Sequence, residues 1–218
     1  MYAPAAQLLL PHGLVVVVLN YALHPAAHYQ QQVSEVADGI AWTLANIAHY
    51  GGDPNRVVVC GQSAGGHLAA LALLDEQWLG RTDHHVSEIA GFLGISGAYD
   101  IVAQMEHERA HGREGPLLIN HFEGPENFAL ASPLAYVRPG LPPARLIHGD
   151  ADTTVPMAVS ETFYAALLAA GNQCDYLVYK GGKHSEILFE ALVENPPRLI
   201  KDMTDFVNYC LALKQNYP

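Results

Sequence analysis

Residues 57–74 read VVVCGQSAGGHLAALALL and join an apolar run to a helix-forming run through a glycine-containing turn. The apolar part is short and β-branched, which predicts a strand over residues 56–60 that is buried on both faces. The part that follows is rich in alanine and leucine and predicts a helix over residues 63–74. A strand followed at once by a helix is the unit from which parallel sheets are built.

The same alternation continues on both sides of this unit. Short runs rich in β-branched or bulky residues predict further strands over residues 14–19, 89–95, 144–148 and 174–179. Helical patterns lie over residues 31–49, 159–170 and 197–214. The sequence therefore predicts a single α/β domain over residues 1–218, with a mostly parallel sheet and helices on both faces.

Residues 98–133 interrupt the alternation. They hold charges, histidines, glycines and prolines, and they form a longer connection than is usual between two strands. A cap inserted over an active site and a plain surface insertion both fit these features. We take the cap-like insertion as the working hypothesis.

Composition excludes several classes of protein. The chain has 218 residues and a formal net charge of -11, which argues against a nucleic-acid partner because such a partner needs a basic face. Its 3 cysteines are widely spread, and this indicates neither a disulfide framework nor a zinc site. The N-terminal residues lack the basic start of a secretory signal, and no apolar run is long enough to span a bilayer. We expect a soluble chain.

The turn Gly61-Gln62-Ser63-Ala64-Gly65 matches the G-x-S-x-G pattern of a nucleophile elbow, in which a strained serine is exposed between a strand and a helix. Glycines flank such a serine because the turn is too tight for larger side chains. The helix start then directs free N–H groups, here that of Ala64, at a developing oxyanion. The alternative is an ordinary turn in which Ser63 caps the helix.

A nucleophilic serine needs a base, and the base needs an acid that orients it. Asp152 follows the predicted strand 144–148, and His184 follows the predicted strand 174–179. Both lie where parallel sheets bind ligands, beyond the carboxyl ends of strands. Ser63, Asp152 and His184 also occur in the chain order serine, acid, histidine that α/β-hydrolases use.

Other residues compete for these roles. Asp150 and Asp100 are alternative acids, and His67 and His148 are alternative bases. Asp150 more often caps a turn, whereas Asp100 also follows a strand. His67, one helical turn beyond Ser63, is better suited to packing, and His148 to structural hydrogen bonding.

A second motif, HERAH at residues 107–111, matches the H-E-x-x-H pattern of zinc hydrolases. Gly112 would end its helix, and the longer metalloprotease pattern is absent. Glu123 or Glu126 would have to supply a third ligand. We expect no metal site and interpret the motif as a solvated helix of the cap.

Four stretches together resemble the α/β-hydrolase esterases: YGGDPNRVVVCGQSAGGHLAA, GISGAYDI, LPPARLIHGDADTTVP and KHSEILFE. The similarity is strongest to the plant-type isoprenylcysteine α-carbonyl methylesterases, which are related to kynurenine formamidases and hormone-sensitive-lipase-like esterases. The resemblance implies that Ser63 is the nucleophile, His184 the general base and acid, and Asp152 its partner. It implies hydrolysis of a prenylcysteine methyl ester without a cofactor, and an association with endomembranes.

The sequence departs from these families in one respect. They carry an HGG segment that completes the oxyanion hole, and no such segment precedes residue 14 here. This predicts an N-terminally truncated hydrolase with a half-formed oxyanion hole. Arylformamidase activity, which would use the same three residues, and a catalytically impaired fragment are therefore alternative hypotheses.

Overall fold

The computed structural model describes residues 2–113, 115–193 and 196–216. Within them lies a four-stranded sheet in which all neighbours are parallel and the strand order follows the chain. The strands are β1 Val58–Gln62, β2 Gly91–Ile95, β3 Ala144–Gly149 and β4 Cys174–Tyr179. All four carboxyl ends therefore meet at one edge of the sheet.

Helices cover the sheet on both faces, and short 3-10 turns join several of them. The α-helices of the described residues are α1 Tyr2–Gln7, α2 Tyr29–Asn46, α3 Ala64–Leu74, α4 Glu76–Leu79, α5 Ile101–Ala110, α6 Pro116–His121, α7 Met157–Ala169, α8 Glu186–Val193 and α9 Arg198–Asn216. None of these helices is long and apolar enough to cross a lipid bilayer.

Adjacent residues of one strand supply opposite faces of the sheet. Phe92 of β2 packs with α2, α3 and α7, whereas its neighbour Leu93 packs with α8 and α9. Leu146 and Ile147 divide in the same way on β3. Because both faces of the sheet are buried here, apolar residues occupy adjacent positions of these strands instead of alternating with polar ones.

The α/β prediction is confirmed, and four of the five predicted strands form within two residues of their predicted limits. The predicted strand at residues 14–19 is wrong. These residues pair with no strand in the described part of the chain, and Val15, Val17 and Val18 are 46%, 37% and 48% exposed. β-branched composition favours an extended backbone, but a strand also needs a neighbour that completes its hydrogen bonds.

Residues 98–133 connect β2 to β3 and contain α5 and α6. They contact three other parts of the domain. His28 before α2 lies 2.7 Å from the carbonyl oxygen of Asn120, His67 of α3 lies 2.7 Å from that of Ala131, and Gln104 donates to Thr154 beyond β3.

Candidate active site

Ser63 lies between β1 and α3 with backbone angles φ 55° and ψ -122°. Such angles are rare for a residue with a side chain, and they persist only where the surroundings impose them. The Ser63 N–H donates to Ile95 O at 2.9 Å, and the Ser63 carbonyl accepts from His67 N–H at 3.0 Å. Its side chain makes no capping hydrogen bond to α3, which argues against the ordinary helix cap.

The two motif glycines differ in how much space surrounds them. A Cβ on Gly61 would lie 2.3 Å from Gly65 O, whereas a Cβ on Gly65 would meet no atom within 4 Å. Gly66, which the motif does not include, is also tight, at 3.1 Å from Gly61 O. The close approach of strand and helix therefore requires Gly61, while Gly65 is not required for space.

The structure brings Ser63, His184 and Asp152 together. His184 Nε2 lies 2.7 Å from Ser63 Oγ, and His184 Nδ1 lies 2.7 Å from Asp152 Oδ2. These residues follow β1, β4 and β3, so the shared edge of the sheet accounts for their convergence. Gln62, the buried motif residue, donates from its amide to His184 O at 3.2 Å and so helps to hold the histidine loop.

The Asp152 carboxylate is fully buried and has donors on both oxygens. Oδ1 accepts from the N–H groups of Thr154 at 2.8 Å and Val155 at 3.0 Å. Oδ2 faces His184 and, at 3.3 Å, Nε2 of the buried His148. Burial alone would raise the pKa of Asp152, but hydrogen bonds from His148, His184 and Val155 outweigh it and lower that pKa. Asp152 is therefore a carboxylate at neutral pH.

The competing residues have other contacts. Asp150 accepts from Gly181 N–H at 2.5 Å, and Asp100 caps α5 by accepting from Ala103 N–H at 3.1 Å. His67 is buried with its Nε2 at the Ala131 carbonyl. His148 Nε2 lies 3.3 Å from Asp152 Oδ2, and His148 Nδ1 lies 2.7 Å from Ser160 Oγ. The sequence offers no signal for the Ser160 contact, which depends on how α7 packs.

The histidines of the HERAH motif face carbonyl oxygens. His107 Nε2 lies 3.0 Å from Thr153 O, and His111 Nδ1 lies 2.8 Å from His107 O. The helix ends at Ala110, and Gly112 follows with a positive φ of 66°. No set of three or more metal-ligating side chains comes together in the residues that the structure describes.

Ala64 is exposed and is the first residue of α3. The N–H groups of a helix's first turn have no acceptor within the helix, so they are available to an anion. Ser63 precedes Ala64 directly. An oxyanion formed at Ser63 would therefore lie near the positive end of the α3 dipole.

Comparison with known proteins places the chain in a family. The sequence profile described as BD-FAE matches residues 1–167. The Arabidopsis thaliana isoprenylcysteine alpha-carbonyl methylesterase ICME is 32% identical over 189 residues, which are 81% of this chain and 44% of that protein. Esterase LipQ of Mycobacterium tuberculosis is 36% identical over 172 residues, which are 73% of this chain and 39% of that protein. The chain thus spans less than half the length of these two relatives.

Solved esterases share the fold. The thermophilic esterase Est2 from Thermogutta terrifontis aligns with a TM-score of 0.72 at 24% identity, over 97% of this chain and 76% of its own. The esterase of the archaeon Pyrobaculum calidifontis aligns with a TM-score of 0.74 at 22% identity, over 94% and 68%. These comparisons confirm the resemblance inferred from the four sequence stretches. The chain belongs to the BD-FAE family and has the fold of the α/β-hydrolase esterases.

Proposed function

We propose that this chain is a serine carboxylic-ester hydrolase in which Ser63, His184 and Asp152 form the catalytic triad. The observation that carries the proposal is the continuous hydrogen-bonded chain from Ser63 Oγ through both nitrogens of His184 to Asp152 Oδ2. The names of the esterases to which the chain is similar agree with it.

In the proposed reaction, Ser63 Oγ attacks the ester carbonyl while His184 Nε2 accepts the serine proton. The Ala64 N–H donates to the resulting oxyanion. His184 then returns the proton to the leaving alcohol, and an acyl-Ser63 ester remains. Water, deprotonated by His184, releases the acid and restores Ser63. Asp152 keeps the Nδ1 proton on His184 throughout and stabilises the imidazolium that forms in each step.

For the substrate we propose the methyl ester of a prenylated cysteine, which would give a carboxylate and methanol. Support comes from the plant relatives that are named for this substrate class. The proposed steps use only side chains, a backbone N–H group and water, so no cofactor is required.

Covalent labelling tests the nucleophile. A fluorescent alkyl fluorophosphonate should label the wild-type chain, and Ser63→Ala should abolish the label because it removes the hydroxyl that lies 2.7 Å from His184 Nε2. Ser87→Ala, at an exposed serine of the 3-10 turn Val86–Glu88, is the matched control and should label as wild type does. Equal labelling of wild type and Ser63→Ala would reject the assignment.

A substrate comparison tests the proposal that the substrate is a prenylcysteine methyl ester. Release of carboxylate is measured from a farnesylcysteine methyl ester, from p-nitrophenyl acetate and from N-formylkynurenine. We expect the farnesylcysteine ester to have the highest kcat/KM of the three. Preference for N-formylkynurenine would instead favour the arylformamidase alternative.

The oxyanion hole is tested by rate. Loss of one oxyanion donor lowers kcat by about 10²–10³ in serine hydrolases. If Ala64 N–H acts without a second donor, kcat of this chain should be lower by about that factor than kcat of the Arabidopsis thaliana relative assayed on the same ester. Equal kcat values would reject the impaired-fragment hypothesis.

A further inference from the structure

Helix α5 of the 98–133 segment meets the loop that carries Asp152. The Gln104 amide donates to Thr154 O at 2.9 Å. The Thr153 carbonyl oxygen lies 3.0 Å from His107 Nε2 and accepts from Arg113 Nη2 at 2.9 Å. A carbonyl can only accept, so His107 carries its proton on Nε2 here. Three donors on or just beyond α5 thus hold two consecutive backbone carbonyls.

The N–H groups of the same two peptide units donate to the Asp152 carboxylate. The N–H of Thr154 shares a planar peptide unit with the Thr153 carbonyl, and it donates to Asp152 Oδ1 at 2.8 Å. The N–H of Val155 shares a unit with the Thr154 carbonyl and donates to the same oxygen at 3.0 Å. Each peptide unit therefore links a donor from the α5 segment to the carboxylate.

This linkage has two physical consequences. Because a peptide unit is rigid, fixing its carbonyl also fixes the direction of its N–H group. A donor at the carbonyl, above all the cationic Arg113, polarises the unit and strengthens the hydrogen bond that its N–H makes. Both effects hold Oδ1 in place and turn Oδ2 towards His184, where it lies 2.7 Å from Nδ1.

Two of these donors, Gln104 and Arg113, are held in turn by Glu108, the buried glutamate of the HERAH motif. Its Oε1 accepts from the Gln104 amide at 2.9 Å, and its Oε2 accepts from Arg113 Nε at 2.9 Å. The Arg113 N–H also donates to Glu108 O at 2.8 Å. One carboxylate thus orients two of the three donors, which a solvated surface helix would not need.

We propose that Gln104, His107 and Arg113 are positioning residues that fix the Asp152 carboxylate through the backbone of residues 153–155. The HERAH motif then serves to orient the acid of the triad, with Glu108 holding the donors. This inference rests on the proposed esterase function, because Asp152 has a catalytic role only there.

Substitutions that keep or remove the two donors to Thr153 O test the proposal. Arg113→Met and His107→Leu remove the two donors to Thr153 O, singly and together. Arg113→Lys and His107→Gln keep a donor at each position. Glu106→Gln changes an exposed residue of the same helix and is the control. Esterase kinetics on p-nitrophenyl acetate are compared at a temperature where circular dichroism shows every variant folded.

We expect the double variant to lose about 10- to 100-fold in kcat, because small displacements of a catalytic group have effects of this size. KM should stay within about twofold of wild type, because none of the substituted residues contacts the substrate in this proposal. Arg113→Lys and His107→Gln should recover most of the lost kcat, and Glu106→Gln should match wild type. A folded double variant with kcat within about twofold of wild type would overturn the proposal.

A second measurement separates this inference from the esterase assignment. The proton between His184 Nδ1 and Asp152 Oδ2 should give a low-field proton NMR resonance that does not depend on turnover. We expect it to move upfield or broaden in the double variant and to return in the donor-keeping variants. If wild type shows no Ser63-dependent turnover, the proposed function fails, and this resonance alone decides whether α5 positions Asp152. If the double variant does not fold, the single variants and their donor-keeping partners give the same comparison.

Discussion

Ser63 is held in its rare backbone conformation by a turn that leaves no room for a side chain at Gly61. Its φ of 55° costs on the order of 1–3 kcal/mol for a residue other than glycine. The close approach of β1 and α3 at Gly61 maintains the turn, and the hydrogen bond from Ser63 N–H to Ile95 O ties it to β2. At the scale of single residues, the turn therefore depends on Gly61 more than on Gly65, although the motif contains both.

Gly61→Ala should destabilise the protein, whereas Gly65→Ala should not. The added methyl of Gly61→Ala would meet backbone atoms at 2.3 Å, which cannot move aside, so we expect a loss of about 1–3 kcal/mol in the free energy of unfolding. Gly65→Ala adds a methyl in open space within a helix and should leave stability unchanged or raise it by up to about 1 kcal/mol. Urea unfolding measures both, and equal losses would contradict the steric explanation.

His67 should make stability depend on pH. Burial lowers the pKa of His67 from 6.5 to about 4, against a smaller opposing effect of its hydrogen bond to Ala131. Because the folded pKa lies below the unfolded one, the unfolded state binds the proton first as pH falls, and stability is lost between about pH 6.5 and pH 4.

The matched variant His67→Gln keeps a donor for Ala131 O but does not titrate. Between pH 7 and pH 5, wild type should lose about 2 kcal/mol more of its unfolding free energy than His67→Gln does. Urea unfolding at the two pH values gives both differences. Identical losses in the two proteins would show that His67 is not the titrating group.

At the scale of elements, residues 14–19 have the composition of a strand but do not pair as one in the described part of the chain. Their valines match the composition of β1, yet β1 pairs with β2 on one side only, and residues 14–19 form no ladder within the described residues. Leu19 does pack closely against α2. If Gly39 of that helix carried a Cβ, this atom would lie only 2.7 Å from Leu19 Cδ1. In the part of the chain that the structure describes, the segment is thus attached through a side chain and forms no strand pairing.

Hydrogen exchange should distinguish the two kinds of segment. Amides of β2, which is paired on both sides, should exchange slower than those of residues 14–19 by on the order of 10³-fold or more, because unpaired amides need no opening of the sheet. Mass spectrometry of peptides covering both segments measures this ratio. Comparable protection would mean that residues 14–19 are paired in solution.

At the scale of the whole molecule, one sheet separates two apolar clusters. Phe163 of α7 is fully buried on one face and stacks on Tyr99 at a centroid distance of 4.4 Å. Phe206 of α9 is buried on the other face. Because β2 and β3 contribute side chains to both clusters, we expect the two faces to unfold together.

Phe163→Ala and Phe206→Ala should each cost about 3–5 kcal/mol, as large truncations of buried aromatic residues do. Leu168→Ala, at a 44% exposed position of the same helix as Phe163, is the control and should cost less than about 1 kcal/mol. Urea transitions followed by far-ultraviolet circular dichroism and by tryptophan fluorescence should coincide in all variants. Separate transitions would show that the two clusters unfold independently.

Much of the fold follows from local patterns. The runs at residues 89–95, 144–148 and 174–179 form strands because each is long enough only for a strand and is rich in β-branched or bulky residues. The helix predicted at residues 63–74 begins one residue later, at Ala64, because Ser63 adopts a non-helical φ. The predicted strand at residues 14–19 failed because a strand depends on a neighbour, and composition carries no information about the neighbour.

The alternation of strands and helices and the chain order of Ser63, Asp152 and His184 can be read from the sequence alone, because hydrophobic period and turn chemistry are local properties. Tertiary structure decided which of the neighbouring acids faces His184, turning Asp152 towards it and Asp150 towards Gly181. It also placed the HERAH helix against the Asp152 loop, a contact between residues 40 to 50 positions apart. Such contacts depend on how the elements pack, and spacing along the chain does not encode them.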